Sequence, residues 1–137
     1  MNTDLLYVGS GLAAAVILRS ALGRTGHYRG QRDPQRAFTA SQRELIFERC
    51  GRQCEHIGLL GRCNAAAVEA DHVFPWAKGG ATSLSNAQGL CRAHNRQKSA
   101  KVPSRSAIRR LERRRAAYFP PGARTDVFWQ IGQRSTG

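Results

Sequence analysis

The chain has 137 residues, enough for one domain with extensions. Twenty-two Lys and Arg residues against nine Asp and Glu residues give a formal net charge of +13, which favours a polyanionic partner such as nucleic acid. Aromatic residues make up only 7% of the chain, which argues against a large aromatic core and makes a metal ion plausible as a structural support.

The N-terminal segment is apolar and is followed by arginines. Residues 5–18 carry no charge, and Arg19 begins the basic stretch. We predict an apolar helix over residues 1–22, with two interpretations open: a helix buried against the domain, or a membrane anchor formed by residues 4–22. The basic flank would lie on the cytoplasmic side, so we expect the protein there, either soluble or anchored to the inner face of the membrane.

A basic linker is predicted over residues 23–38, because this segment is rich in glycine and arginine. A helix then begins at Thr39 or Ser41, each followed three residues later by a glutamine or a glutamate. Residues 52–66 are predicted to form an irregular loop. The remaining predicted elements are a short strand 68–70 leading into Asp71-His72, a helix from Cys91 to about Ala100, an Arg-rich helix 104–118 and a tail 121–137.

Four residues have the types and spacing of a structural zinc site. Cys91 and His94 are three positions apart, so both side chains can share one face of a helix. Cys54 and Cys63 form the second predicted pair. Cys50 competes with Cys63 as a ligand, but it falls inside a predicted helix and suits a small buried side chain. Four cysteines also permit disulfide bonds, although nothing points to secretion of this domain.

The segment from Cys54 to Lys98 resembles the HNH endonuclease family. The pattern is carried by Asp71-His72, Asn86 and Asn95, which fall in order with the cysteine and histidine residues of the zinc site. The resemblance implies an α+β fold: a small ββα-metal nuclease module stapled by zinc, flanked by the N-terminal apolar helix and the C-terminal Arg-rich helix. The expected domain covers residues 39–120, including the basic helix 104–118.

The resemblance also implies a role for each residue of the motif. His72 matches the family's general base, which takes a proton from water. Asn86 matches the position expected to hold the other ring nitrogen of that histidine. Asp71 and Asn95 match ligands of a catalytic metal, and their oxygen atoms favour Mg²⁺ or Mn²⁺ over a second zinc. The implied activity is hydrolysis of DNA phosphodiester bonds.

Basic side chains on or near the metal-bearing helix are expected to contact the phosphate backbone of DNA. They are Arg92, Arg96, Lys98, Lys101 and Arg105. A second functional class stays open, a zinc-stabilised module that binds nucleic acid without cutting it. The sequence does not specify the cleavage site, the biological role or the oligomeric state.

Overall fold

A computed structural model of the chain describes residues 32–131. The predicted apolar helix 1–22, most of the predicted linker and the end of the predicted tail lie outside these residues. Within the described part of the chain, no helix is both long enough and apolar enough to cross a lipid bilayer.

The first helix, α1, spans Ala40–Arg49 and begins at a capping box. The Thr39 hydroxyl accepts a hydrogen bond from the backbone N–H of Gln42, whose side chain accepts from the backbone N–H of Thr39. This reciprocal pair satisfies two backbone donors that no helical carbonyl can reach, and it selects Thr39 rather than Ser41 as the cap. Ile46 is the fully buried residue of α1 and packs with Phe38.

The segment predicted to be an irregular loop contains a small hairpin. Strand β1 (Ile57–Gly58) pairs antiparallel with strand β2 (Gly61–Arg62). The turn between them carries Leu59 and Leu60, whose side chains are fully exposed. The hairpin was not predicted, because strands of two residues leave no periodic signal in a sequence.

A second antiparallel pair carries the Asp71-His72 motif. Strand β3 (Glu69–His72) pairs with strand β4 (Ala87–Leu90), with Asp71 opposite Gln88 and His72 opposite Ala87. Because neighbouring side chains of a strand point to opposite faces, Asp71 and His72 lie on different faces of this pair. All four residues of β4 are buried, so the strand lacks the alternation that would reveal it.

Two helices complete the fold. Helix α2 (Arg92–Lys98) follows β4 directly and contacts β3, so that β3, β4 and α2 form the expected ββα arrangement. Helix α3 (Arg105–Arg115) has Ser104 as its N-cap and buries Ile108 against Val73 and Val127. The fold is therefore mixed α and β, with the β3–β4 pair held between helices.

The loop between β3 and β4 is closed by glycines. Gly79 has a φ of 93°, the left-handed conformation that ends the short 3₁₀ turn Trp76–Lys78. A side chain at Gly80 would collide with the carbonyl oxygen of Phe74. The Gly79-Gly80 pair therefore lets the loop fold back on its own first residues.

Segments on both sides of the predicted domain pack against this loop. The Asp33 carboxylate accepts a 2.9 Å bond from the backbone N–H of Thr82, and the Asp33 carbonyl accepts a 2.8 Å bond from the indole of Trp76. From the other end of the chain, the carbonyl of Trp129 accepts a 2.8 Å bond from the N–H of Ala81. Contacts with the β3–β4 loop thus come from both sides of the predicted domain 39–120, including the end of the predicted linker.

Candidate active site and zinc centre

The four predicted zinc ligands converge at the base of the small hairpin. Cys54, Cys63, Cys91 and His94 each place one ligand atom within 4.8 Å of the others. The Nδ1 atom of His94 lies 3.6 Å from the sulfur of Cys54 and 3.2 Å from that of Cys91. A tetrahedral zinc site with Zn–S bonds of about 2.3 Å has edges of about 3.8 Å, so the cluster has the size that one zinc ion requires.

Cys50, the competing ligand candidate, and the nearby His56 both lie outside this cluster. Cys50 is fully buried with Ala67 and Phe119, and its thiol donates to the carbonyl of Phe47 at 3.3 Å. The ring of His56 stacks on the ring of His94, with 3.7 Å between centroids. Cys50 therefore occupies an apolar core position, and His56 packs against the ligand shell.

The thiols of the cluster sit in different electrostatic surroundings. Burial raises the pKa of Cys54 to about 11, which disfavours its thiolate unless a cation is nearby. The backbone N–H of His94 lowers the pKa of Cys91, because it donates a hydrogen bond to that sulfur. A zinc ion fits this donor set, since it would supply the positive charge that a buried thiolate needs.

Asp71 and His72 line one cleft on the surface of the domain, although they lie on different faces of the strand pair. The cleft has a volume of about 310 Å³. Its walls include the aromatic side chains of Phe38 and Trp76, and the guanidinium groups of Arg36 and Arg43. A cleft that joins a carboxylate, an imidazole and two cations is suited to an anionic ligand.

His72 is held at the end of β3 and is 8% exposed. Its Nε2 atom lies 2.9 Å from the hydroxyl oxygen of Thr82, and its ring packs on Phe38 with 4.6 Å between centroids. Burial lowers the pKa of His72, and the opposing effect of the Asp71 carboxylate is smaller. The imidazole is therefore neutral near pH 7 and able to accept a proton.

Asn86 does not make the contact predicted for it. Its amide oxygen accepts a 2.9 Å bond from the N–H of Phe74, and its NH₂ group donates to the carbonyls of Phe74 and Ala81 at 3.0 and 2.8 Å. The ring of His72 bonds to Thr82 instead. Asn86 thus closes the loop between β3 and β4, because it replaces backbone partners that the loop lacks, and it does not bond to the imidazole.

Asp71 forms an ion pair with helix α2. Its Oδ2 atom lies 2.8 Å from the ammonium of Lys98 and accepts a longer bond of 3.4 Å from Gln88. Asn95 lies one helical turn before Lys98, on the same side of α2, and is half-buried. The cleft lined by Asp71 and His72 does not include Asn95 among its lining residues.

Four of the five predicted phosphate-binding residues are exposed, and one is not free to act as predicted. Lys98 is the exception, because its charge is matched by Asp71 and its side chain is only 19% exposed. Arg92 lies 3.8 Å from Glu69, a loose pair at a side-chain exposure of 78%. The exposed set consists of Arg92, Arg96, Lys101 and Arg105.

Three residues of the site were not predicted from the sequence. Arg36 and Arg43 reach the cleft from the segment before α1 and from α1 itself. Their only local signal is the density of arginines before residue 44. Thr82 contacts His72 from ten residues away in a loop, and its position carries no pattern that sequence reasoning can use.

Comparison with known protein families matches residues 48–101 to the family described as HNH endonuclease. Neither the comparison with curated proteins nor the one with solved structures returned a match. The matched stretch contains the cysteine and histidine cluster, the Asp71-His72 pair and helix α2. Residues 48–101 are therefore a domain of the HNH endonuclease family.

Proposed function

We propose that the protein is a metal-dependent endonuclease that hydrolyses phosphodiester bonds in DNA. The observation that carries this proposal is the cleft in which Asp71 and His72 meet, with a neutral imidazole beside a carboxylate. The match of residues 48–101 to HNH endonucleases supports the same reaction class.

His72 acts as the general base in this proposal. It takes a proton from a water molecule, and the hydroxide that remains forms a bond to the phosphorus atom. The bond from phosphorus to the bridging 3′ oxygen breaks, and the leaving oxygen takes a proton from solvent. Hydroxide attack with that bond breaking would leave a free hydroxyl on one strand end and a phosphate on the other.

The proposed catalytic metal is Mg²⁺ or Mn²⁺, with Asp71 as its carboxylate ligand and Asn95 as a further oxygen donor. Asp71 fits this role because only its Oδ2 atom pairs with Lys98, while Oδ1 has no hydrogen-bond partner within residues 32–131. A divalent cation at this point would reduce the negative charge on the phosphate and on the leaving oxygen. The zinc ion of the cysteine cluster is proposed to be structural.

The proposed DNA backbone runs over the mouth of the cleft. Arg36 and Arg43 form one wall, and the exposed residues of α2 and the following loop provide further positive charge. Contacts of this kind position a phosphate chain without reading its sequence. The outer face of α3 carries five exposed arginines that can extend the same surface: Arg105, Arg109, Arg110, Arg113 and Arg114.

The central test replaces His72 with alanine and measures nicking of supercoiled plasmid with added Mg²⁺ or Mn²⁺. We expect the rate to fall by about 10²- to 10⁴-fold, the usual contribution of a general base. Binding of plasmid DNA should persist, because the basic surface is unchanged. Cleavage by folded H72A at the wild-type rate would contradict the proposal.

One observation favours a second function, binding of nucleic acid without cleavage. The Lys98 ammonium already neutralises Asp71, the carboxylate proposed to hold the catalytic metal. The alternative would be supported if the wild-type protein retains zinc and binds DNA but does not cut it with any divalent metal tested.

We also propose a cytoplasmic location, with residues 4–22 either buried or anchored in the inner face of the membrane. Fractionation of cells that express the full chain or a variant lacking residues 4–22 separates these two cases. Recovery of the full chain entirely in the soluble fraction would contradict the anchor.

A further inference from the structure

The ring of His72 is held by a relay of groups from three separate parts of the chain. Its Nε2 atom lies 2.9 Å from the hydroxyl oxygen of Thr82. The same hydroxyl donates a hydrogen bond to the backbone carbonyl of Gln35. His72 and Thr82 are each only 8% exposed, so water does not readily replace either bond.

The chemistry of the donors fixes the direction of both bonds. A carbonyl oxygen can only accept a hydrogen bond, and a threonine hydroxyl carries a single proton. That proton is committed to Gln35, so the hydroxyl oxygen must accept from His72. The proton of the neutral imidazole therefore sits on Nε2, and Nδ1 keeps its lone pair.

Thr82 is itself held in place at two points by the same N-terminal segment. Gln35 accepts from its hydroxyl, and the Asp33 carboxylate accepts a 2.9 Å bond from its backbone N–H. Asp33 is fixed in turn by the indole of Trp76 and by the N–H of Gln35. The segment 33–35 thus acts as a support for the threonine that contacts the imidazole.

We propose that Thr82 is a positioning residue that holds His72 as the Nε2–H tautomer, supported by the segment 33–35, so that Nδ1 is the atom that takes the proton from water. In that step an O–H bond of water breaks and an N–H bond forms at Nδ1. The bond from Nε2–H to Thr82 is kept throughout and stabilises the imidazolium that results. The role in catalysis rests on the proposed nuclease function, whereas the tautomer does not.

The tautomer can be observed directly by nuclear magnetic resonance of the full chain labelled with ¹⁵N at histidine. The spectrum is recorded at a pH where imidazoles are neutral, and the H72A variant identifies the signals of His72. We expect a protonated nitrogen at Nε2 and an unprotonated nitrogen at Nδ1. A protonated Nδ1 in the wild-type protein would overturn the proposal.

Kinetics test whether this tautomer matters for the reaction. Thr82→Val removes the hydroxyl at nearly constant size. We expect kcat for plasmid nicking to fall about 10- to 100-fold with KM unchanged, by analogy with the loss of a supporting hydrogen bond to a metal-bound histidine. Thr82→Ser keeps the hydroxyl and should restore kcat. Ser85→Ala is the matched control, because Ser85 lies in the same loop and bonds to Ser83 and Phe128 rather than to His72.

The outcomes separate this proposal from the proposed function. A wild-type kcat in folded T82V, with the Nε2–H tautomer lost, would overturn the positioning role while leaving the nuclease intact. If T82V does not fold, the tautomer of His72 in the wild-type protein tests the proposal: a protonated Nδ1 overturns it, and a protonated Nε2 supports it. If the wild-type protein cuts no DNA, the nuclease function fails, and the spectra of the wild-type and T82V proteins still decide whether Thr82 sets the tautomer.

Discussion

Asn86 is fully buried, and every hydrogen bond of its side chain goes to the backbone. Its partners are Phe74, near the start of the β3–β4 loop, and Ala81, five residues before Asn86. The Asn86 side chain supplies hydrogen-bond partners to buried backbone groups. Each such group left without a partner would reduce stability by about 1–3 kcal/mol. Its importance for this protein is therefore first a matter of loop stability.

We predict that Asn86→Ala lowers the free energy of unfolding by about 2–4 kcal/mol, because buried backbone groups of Phe74 and Ala81 lose their partners. Urea denaturation measures this change. Asn95→Ala is the matched control, since the Asn95 side chain makes no hydrogen bond within the described residues, and we expect a change within about 0.5 kcal/mol. An N86A variant that loses nicking but keeps full stability would instead favour direct contact with the imidazole.

Arg115 is the one arginine of α3 that does not face solvent. Its guanidinium is fully buried and donates a 2.9 Å bond to Glu55, whose carboxylate also accepts bonds from the N–H of Gly89 and the hydroxyl of Tyr118. Arg115 further donates to the carbonyl of Ala87 at 2.7 Å. This buried pair joins α3 to the segment that carries the predicted zinc ligand Cys54 and to strand β4.

Removal of Arg115 is predicted to destabilise the fold strongly. Arg115→Leu leaves the Glu55 carboxylate buried without its counter-charge, and we expect a loss of about 3–5 kcal/mol in urea denaturation. The added change Glu55→Gln should recover part of this loss, since the amide is neutral. Arg114→Leu, at an exposed position of the same helix, should stay within about 0.5 kcal/mol of wild type; equal losses at both positions would argue against the buried pair.

At the scale of elements, the cysteine and histidine cluster lies between the β1–β2 hairpin and the start of α2. Cys54 and Cys63 lie on either side of the hairpin, whereas Cys91 and His94 belong to the N-terminal turn of α2. A two-residue hairpin and a seven-residue helix are both too short to be stable alone in water. A metal ion bound by these four residues would therefore hold both elements in place.

Metal analysis distinguishes Cys63 from Cys50 as the fourth ligand of the predicted zinc site. Cys63→Ser is predicted to lose tightly bound zinc and to unfold at a lower temperature, because a site of three ligands holds zinc less firmly. Cys50→Ala is predicted to keep one zinc ion per chain, although it loses some core packing. Zinc retained in C63S and lost in C50A would reverse the assignment.

At the scale of the whole molecule, the domain depends on the segments that flank the family-matched region. Asp33 and Gln35 support the loop that contains Thr82, and Val127 is buried against Val73. Burial of a valine side chain contributes about 1.5–3 kcal/mol, a large share of the stability of a small domain. These contacts make both ends of the described chain part of the folded unit.

Two fragments of the chain test this boundary. We predict that residues 32–131 unfold cooperatively in a thermal melt, since they contain Asp33, Gln35 and Val127, which contact the rest of the domain. Residues 39–120 are predicted to melt at a lower temperature or to remain unfolded, because they lack Asp33, Gln35 and Val127. Equal melting temperatures for the two zinc-loaded fragments would support the narrower domain, residues 39–120.

The amino-acid sequence by itself determined the elements that depend on short spacings. Cys91 and His94 share one face of a helix because they are three residues apart, and the cap at Thr39 depends on a glutamine three positions later. The order of Asp71-His72, Asn86 and Asn95 was sufficient to indicate the HNH family, which the family comparison confirms. The β1–β2 hairpin and strand β4 were missed, because the first is too short and the second is buried on both faces.

Only the tertiary structure decided which long-range partners meet. Thr82 and Gln35 are 47 residues apart, and Arg115 and Glu55 are 60 residues apart. Arg115 shares its local sequence with the exposed arginines of α3, so no spacing rule separates a buried arginine from its solvated neighbours. The physical reason is that hydrogen bonds and ion pairs of this kind depend on which surfaces the folded chain brings together, and local periodicity carries no record of that choice.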